Sequence, residues 1–315
     1  MSRLRSVNFR DLWEKYSAVI LIGILVILFN TFGSGFWNLK NYEDIILNNT
    51  GLIITVVGLS FVMLCGGIDL SVGYQISIIS VMISLLSVRD MPDGVVIVGA
   101  LLTGLCCGLL NGILVGYLEI VPFAATIATQ IIFRGCSFVL SRGRMVSNMA
   151  EAIRQITRLR FLGIRLDMWL AVIGFIVLGS ILRVSFIGKG LRAIGLDENT
   201  AHRAGVKVKR IKCLSYCIAS VFYAVAAMVL TSRKGYAGSE IGVGMEITAI
   251  VAAYVGGILT FAQKQGVVTL LLGMLVVAVI ENGLLKVGMN TYIQYIITGI
   301  ILIVSMTLHK KQKNV

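Results

Sequence analysis

The sequence predicts an all-α fold, a polytopic membrane protein of about ten transmembrane helices, and three observations carry that prediction. Hydrophobic residues make up 57% of the 315-residue chain against 14% charged, and the mean hydropathy is +0.91, well outside the averages of soluble domains. The apolar residues fall into runs of spanning length, roughly 20 residues, and most basic side chains cluster in the short segments between them. Only two prolines and no long polar tract interrupt these runs, which leaves a single integral domain over 1–315.

Taken in order, the predicted spans are 17–33, 46–65, 71–88, 94–118, 121–140, 167–183, 213–232, 245–262, 266–286 and 291–308. Arg3, Arg5, Arg10 and Lys15 precede the first without a small-residue cleavage site after it, so it reads as a retained span and not as a secretory signal. Retention of Lys and Arg on the cytoplasmic side explains the net charge of +13 better than nucleic-acid binding does. The basic start and the tail His309-Lys310-Lys311-Gln312-Lys313 both read as cytoplasmic, which ten crossings satisfy. Ten crossings also put 183–212, with eight Lys or Arg, inside, and the loop 141–165, with six arginines, outside. One span separates these two loops, so one of them breaks the positive-inside tendency. Asn111-Gly112-Ile113-Leu114 is echoed by Asn282-Gly283-Leu284-Leu285 five spans later, the separation an inverted repeat requires, although four residues leave the repeat open.

The second and third spans are joined by Gly66-Gly67-Ile68-Asp69-Leu70-Ser71-Val72-Gly73. A charged side chain at bilayer depth costs about 3 kcal/mol on insertion scales and faces a bundle interior or a water-filled path. Backbone broken by glycine survives there only where protein or a cavity satisfies it. Two roles fit Asp69 and can coexist: with Ser71 it lines a polar route, or its carboxylate caps the third helix. For Glu281 and Asn282 in the ninth span, substrate contact and interhelical hydrogen bonding fit equally. Asn111 reads as helix–helix glue beside the close-packing stripe Gly104, Gly108 and Gly112. Cys65, Cys106, Cys107, Cys136, Cys213 and Cys217 lack C-x-x-C spacing and nearby histidines, read as packing residues and give no metal site.

Between the sixth and seventh spans, Asp197 is placed to cap a short helix running from Glu198 to about Ala204 and stopping at Gly205. Docking in a partner's groove and a plain solvated basic loop both fit that helix. No GxxxxGK[ST], HExxH, GxSxG or helix-opening GxGxxG occurs, so ATP hydrolysis by this chain is not expected and energy must come from a gradient or a partner.

The 66–73 motif resembles the signature of the ribose-type permease subunits of bacterial ABC sugar importers, within the branched-chain amino acid/ribose superfamily. Pro122-Phe123-Ala124-Ala125-Thr126 with Arg134-Gly135, Leu191-Arg192-Ala193-Ile194-Gly195 through Ala204-Gly205-Val206, and Gly244-Met245-Glu246-Ile247 with Gly256-Gly257 and Asn282-Gly283-Leu284 resemble further family motifs in the right order over roughly 45–305. The resemblance implies a permease that moves a monosaccharide or similar small polar solute into the cytoplasm by alternating access, multi-pass in the bacterial inner membrane. It implies as partners a second copy or a homologous permease, a cytoplasmic ATP-binding-cassette ATPase that uses ATP and Mg, and an extracytoplasmic sugar-binding protein, with no cofactor bound by this chain. It adds Phe123 and Glu246 to Asp69, Ser71, Asn111, Glu281 and Asn282 as candidates for the path or its helix breaks. It also makes Asp197, Glu198, Asn199, Ala201, Arg203 and Gly205 the expected ATPase-coupling segment. Thr248 and the run Ile258-Leu259-Thr260-Phe261-Ala262-Gln263-Lys264-Gln265-Gly266 depart from the family pattern, so pairing with itself and pairing with an unlike permease are both open. The competing class is an ion-driven secondary transporter with Asp69 and Glu281 as coupling carboxylates.

Overall fold

The computed structural model of the chain describes residues 9–33, 35–256, 267–290, 293–294, 296–301, 303–304 and 307. Arg3, Arg5, the tail from His309, Gly257 and the run Ile258 to Gly266 lie outside the described residues. The elements in order are α1 (Phe9–Phe32), α2 (Leu39–Asn48), α3 (Thr50–Leu64), α4 (Val72–Val88), α5 (Asp93–Gly112) with a π-helical turn Ile113–Tyr117, and α6 (Pro122–Ser141). Then come α7 (Glu151–Gln155), a hairpin of β1 (Arg160–Phe161) and β2 (Ile164–Arg165), α8 (Leu166–Val184), α9 (Phe186–Leu196), α10 (Glu198–Arg203), α11 (Val208–Lys234), α12 (Met245–Val255) and α13 (Val267–Lys286).

Among the described residues, four helices are long and apolar enough to cross a membrane: α5 with its π turn, α6, α8 and α11. The α2–α3 pair makes a fifth, bent by 44°, while 19–32, α4 and α12 are shorter apolar helices. The fold is therefore an all-α polytopic membrane protein.

Two regions differ from the plain succession of spans. The second predicted span is broken at Asn49, where side chains bond back to preceding carbonyls instead of letting the helix run straight: Asn49 Nδ2 donates to Ile45 O at 2.8 Å and Thr50 Oγ1 to Leu47 O at 3.2 Å. The loop 141–165 is folded, not open. Met149, Ile153 and Ile156 are buried in the main core, the Ala150 amide donates to Ser87 Oγ at 3.0 Å, and Val146 bridges Ala237.

Every residue of α3 is buried, as expected for a helix apolar all round at the centre of a bundle. It packs on α11, and α11 in turn receives α5 along the predicted glycine stripe. A Cβ at Gly104 would lie 2.7 Å from Ser220 O, at Gly108 2.6 Å from Tyr216 O, and at Gly112 2.7 Å from Cys213 O. Small residues let backbones touch in this way where lipid offers no hydrophobic drive between helices. A second, separate core of Phe29, Phe36, Ile45, Val276, Val279, Ile280 and Leu284 joins α1, α2 and α13. Both glycines of the sequence echo are close-packing points, Gly112 against α11 and Gly283 against the Phe29 ring. Cys65, Cys107 and Cys213 are buried, but Cys106 and Cys136 face outward, so packing describes only part of that set.

Candidate functional site

The chain leaves α3 through Gly66, whose φ of +80° belongs to the left-handed region that a glycine enters without strain. The break to α4 frees backbone groups, and side chains from distant helices take them up. Thr126 Oγ1 of α6 accepts from the Leu70 amide at 3.2 Å, and its single proton lies between Pro122 O at 2.9 Å and Ile68 O at 3.3 Å; Tyr216 Oη of α11 reaches the Ile68 carbonyl at 3.5 Å.

Asp69 is fully buried, and donors converge on its carboxylate. The Ser71 amide donates to Oδ1 at 2.9 Å, the Ser71 hydroxyl to Oδ1 at 2.5 Å, and Gln75 Nε2 to Oδ2 at 3.2 Å. Tyr223 faces the same carboxylate without full hydrogen-bond geometry. Ser71 Oγ also accepts from Gln75 Nε2 and from Asn111 Nδ2, both at 2.8 Å, and Gln75 Oε1 accepts from Ser220 Oγ at 2.6 Å. Ser71 is itself the N-cap residue of α4 and makes no side-chain cap bond. Asp69 thus folds the turn ahead of the helix and ties α4 to α5 and α11. In this conformation it is closed to any solute. Charged acceptors strengthen each such bond where water is excluded.

The remaining path candidates are dispersed. Glu246, in the first turn of α12, is buried and lies against Gly73 at the start of α4, with Oε2 lacking a partner among the described residues. Phe123 is 56% exposed on the outer face of α6. Asn282 belongs to the second core, where its Oδ1 accepts from Asn41 Nδ2 at 3.1 Å, and Glu281 beside it on α13 is half-buried. The structure therefore joins Asp69, Ser71 and Asn111, sets Glu246 against the same helix start, and leaves Phe123, Glu281 and Asn282 elsewhere. Gln75, Tyr216, Ser220 and Tyr223 complete the knot without having been singled out in the sequence, and Thr126 joins them from the Pro122–Thr126 motif. Their signal was present in the form of polar side chains inside apolar spans.

On the far side of the break lies the α9–α10 surface. Ser185 caps α9 by accepting from the Gly188 amide at 3.0 Å. Asp197 caps α10, taking the Thr200 amide and hydroxyl at 3.0 Å each, and the amide followed by the hydroxyl holds its carboxyl below the usual range. Gly205 ends the segment at φ +84°. Glu198 pairs with Lys212 of α11 at 2.6 Å, Ala201 is buried, and Asn199, His202 and Arg203 are exposed. Gly195 lies against the Leu64 carbonyl at the end of α3, and Cys65 Sγ is 3.4 Å from Ser215 Oγ of α11. The exposed helix is thereby in contact, through α9, with the chain that leads into Asp69.

A bundle of apolar spans around a buried polar break, with a surface helix pair that meets the chain leading into that break, defines a multi-pass membrane protein with a polar joint in its interior. The sequence model of the family described as branched-chain amino acid transport system / permease component matches residues 41–306. The chain belongs to this family. Among its curated relatives are the ribose import permease protein of Haemophilus influenzae (30% identical, covering 97% of each chain) and that of Bacillus subtilis (28%, covering 98% of this chain and 96% of the relative). The D-allose transport system permease protein of Escherichia coli is 27% identical over 98% of this chain and 95% of its own. These matches bear out the ribose-type resemblance. No solved structure matches significantly.

Proposed function

We propose that this chain is the membrane-spanning permease subunit of an ATP-binding-cassette importer that moves a monosaccharide or similar small polar solute into the cytoplasm by alternating access. The observation that carries the proposal is end-to-end similarity to permeases of ribose and allose transport. In this reading both termini are cytoplasmic, and α10, from Glu198 to Arg203 with Asp197 and Gly205 at its ends, docks in a groove of a separate ATPase that uses ATP and Mg. A second permease, identical or homologous, completes the path, and an external sugar-binding protein delivers the solute. The contact of Gly195 with the end of α3 supports a transmission role: a push on α9 and α10 reaches the Asp69 break through packed backbone and not through a loop. Backbone broken at membrane depth persists where protein groups take up its polar atoms, as Thr126 does for Ile68 and Leu70 and Asp69 for the Ser71 amide.

Reconstitution into proteoliposomes tests this. Radiolabelled sugar should accumulate only with the ATPase subunit, ATP and the binding protein present together. Gradient-driven uptake by this chain alone would overturn the reading and favour a secondary transporter.

A further inference from the structure

We propose that the hairpin 160–165 is a lipid anchor, its apolar tip seated in the interfacial zone of the bilayer beside α8 and Arg158 and Arg160 pairing with the phosphates of anionic lipid headgroups. The tip turns through Leu162 and Gly163, at φ +53° and +80°. A turn with two positive φ values ordinarily takes Asn-Gly, and a leucine there is held in a conformation its side chain disfavours. Phe161 and Leu162 are nevertheless 59% and 76% exposed, flanked by exposed Leu159 and Ile164.

The placement says what covers them. Phe161 O accepts from Trp169 Nε1 at 3.1 Å, and the two rings meet edge-on at 6.1 Å. Trp169 shares its stripe of α8 with Ile173 and Ile176, four and seven residues on, both exposed on a helix that crosses the membrane. The tip therefore continues the lipid-facing surface of α8 at the level where a tryptophan marks the membrane–water boundary. A soluble partner would have to displace lipid to reach it. The base is fixed: the Leu166 amide donates to Leu159 O at 3.0 Å, and Arg165 grips Asp167 with Nε and NH2 at 3.1 and 3.0 Å. Arg165 is thus turned inward, while Arg158 and Arg160 form no ion pair among the described residues. Phosphate pairing gives Arg158 and Arg160 a partner at the bilayer surface that the protein itself does not supply among the described residues.

The test uses the full chain with Trp13→Phe and Trp37→Phe, with and without Leu162→Trp, in phosphatidylcholine/phosphatidylglycerol vesicles. The fluorescence added by Leu162→Trp should be blue-shifted, lose most of its intensity to lipids brominated near the carbonyl end of the acyl chain, and resist aqueous iodide. Red-shifted emission quenched by iodide places the tip in water, and blue-shifted emission blind to both quenchers places it under protein; either overturns the proposal. Independently, short-chain phosphatidylglycerol should raise the unfolding midpoint of the unaltered protein in detergent more than phosphatidylcholine does, and Arg158→Gln with Arg160→Gln should abolish that preference. An equal response of the unaltered protein to both lipids would remove the headgroup part of the proposal.

Discussion

Replacing Asp69 by alanine removes the acceptor on which the Ser71 amide, the Ser71 hydroxyl and the Gln75 amide converge, in surroundings of zero exposure. A buried donor left without a partner costs about 1–3 kcal/mol. Three of them, with Gln75 still partly held by Ser71 and Ser220, sum to about 3–6 kcal/mol. Asp69→Asn is a gentler change. It keeps an oxygen for Ser71 and presents an N–H where Gln75 now donates. Gln75 relieves that clash by turning its amide over, because its oxygen then takes the new donor and the Ser220 hydroxyl can accept as well as donate. What remains lost is the charge on the surviving bonds and the Gln75 to Ser71 bond, about 1–2 kcal/mol. Unfolding midpoints of purified protein in detergent should therefore fall in the order unaltered, Asp69→Asn, Asp69→Ala. Asp69→Ala melting with the unaltered protein, or Asp69→Asn melting below Asp69→Ala, would refute the knot as described. An Asp69→Asn protein of ordinary stability that no longer supports sugar uptake would place the charge itself in the transport step.

The other predictions follow from neighbouring contacts. Gly108→Leu should separate α5 from α11 at an overpacking cost of about 1–3 kcal/mol, whereas Gly135→Ala, with nothing within 4 Å of its Cβ, should leave the midpoint unchanged or raise it. Asp167→Ala strips the carboxylate shared by Arg165, Arg233 and Thr50; with the two guanidiniums about one-fifth exposed, the loss should be about 2–3 kcal/mol, and Arg233→Ala on top of it should cost little more. Gly195→Ala should push α9 off the end of α3 and reduce ATP-driven uptake in the reconstituted assembly more than it lowers the melting midpoint. Asp197→Ala should speed amide exchange in α10. Because the carboxyl of Asp197 is held below its unfolded value, its contribution is fully present above the ordinary carboxylate range and fades as pH falls through the folded value, so the difference between the two proteins should vanish only in strong acid.

What the sequence disclosed and what it hid divide along physical lines. The third to seventh and ninth spans, the capped helix at Asp197 and the glycine stripe of α5 are local or periodic features, and each stands close to where composition and spacing put it. The partners of Asp69 were not legible in the same way. Ser220 meets Gln75 across 145 residues, and Tyr216 reaches Ile68 across 148, so only the fold brings them together. The bend at Asn49 was hidden because the predicted span 46–65 runs through Asn48, Asn49 and Thr50 without a break, and nothing periodic in the sequence marks a joint there. The arginine-rich loop posed a topological conflict in sequence, and its structure shows that the segment is built into the bundle through Ile153 and Ile156.

The presence of two cores makes the molecule mechanically lopsided. Asn111 to Ser71, Ser220 to Gln75, Thr126 to Ile68 and Ser80 to Thr231 rivet α4, α5, α6 and α11 into one stiff unit. The core of α1, α2 and α13 is held mainly by apolar side chains, with Asn41 tied to Asn282 and to the Phe36 carbonyl inside it. A hydrogen bond opened in dry surroundings goes unreplaced, whereas apolar faces exchange one hydrocarbon neighbour for another at little cost. A load applied to the bundle should therefore find its compliance on the α13 flank well before it loosens the rivets around Asp69.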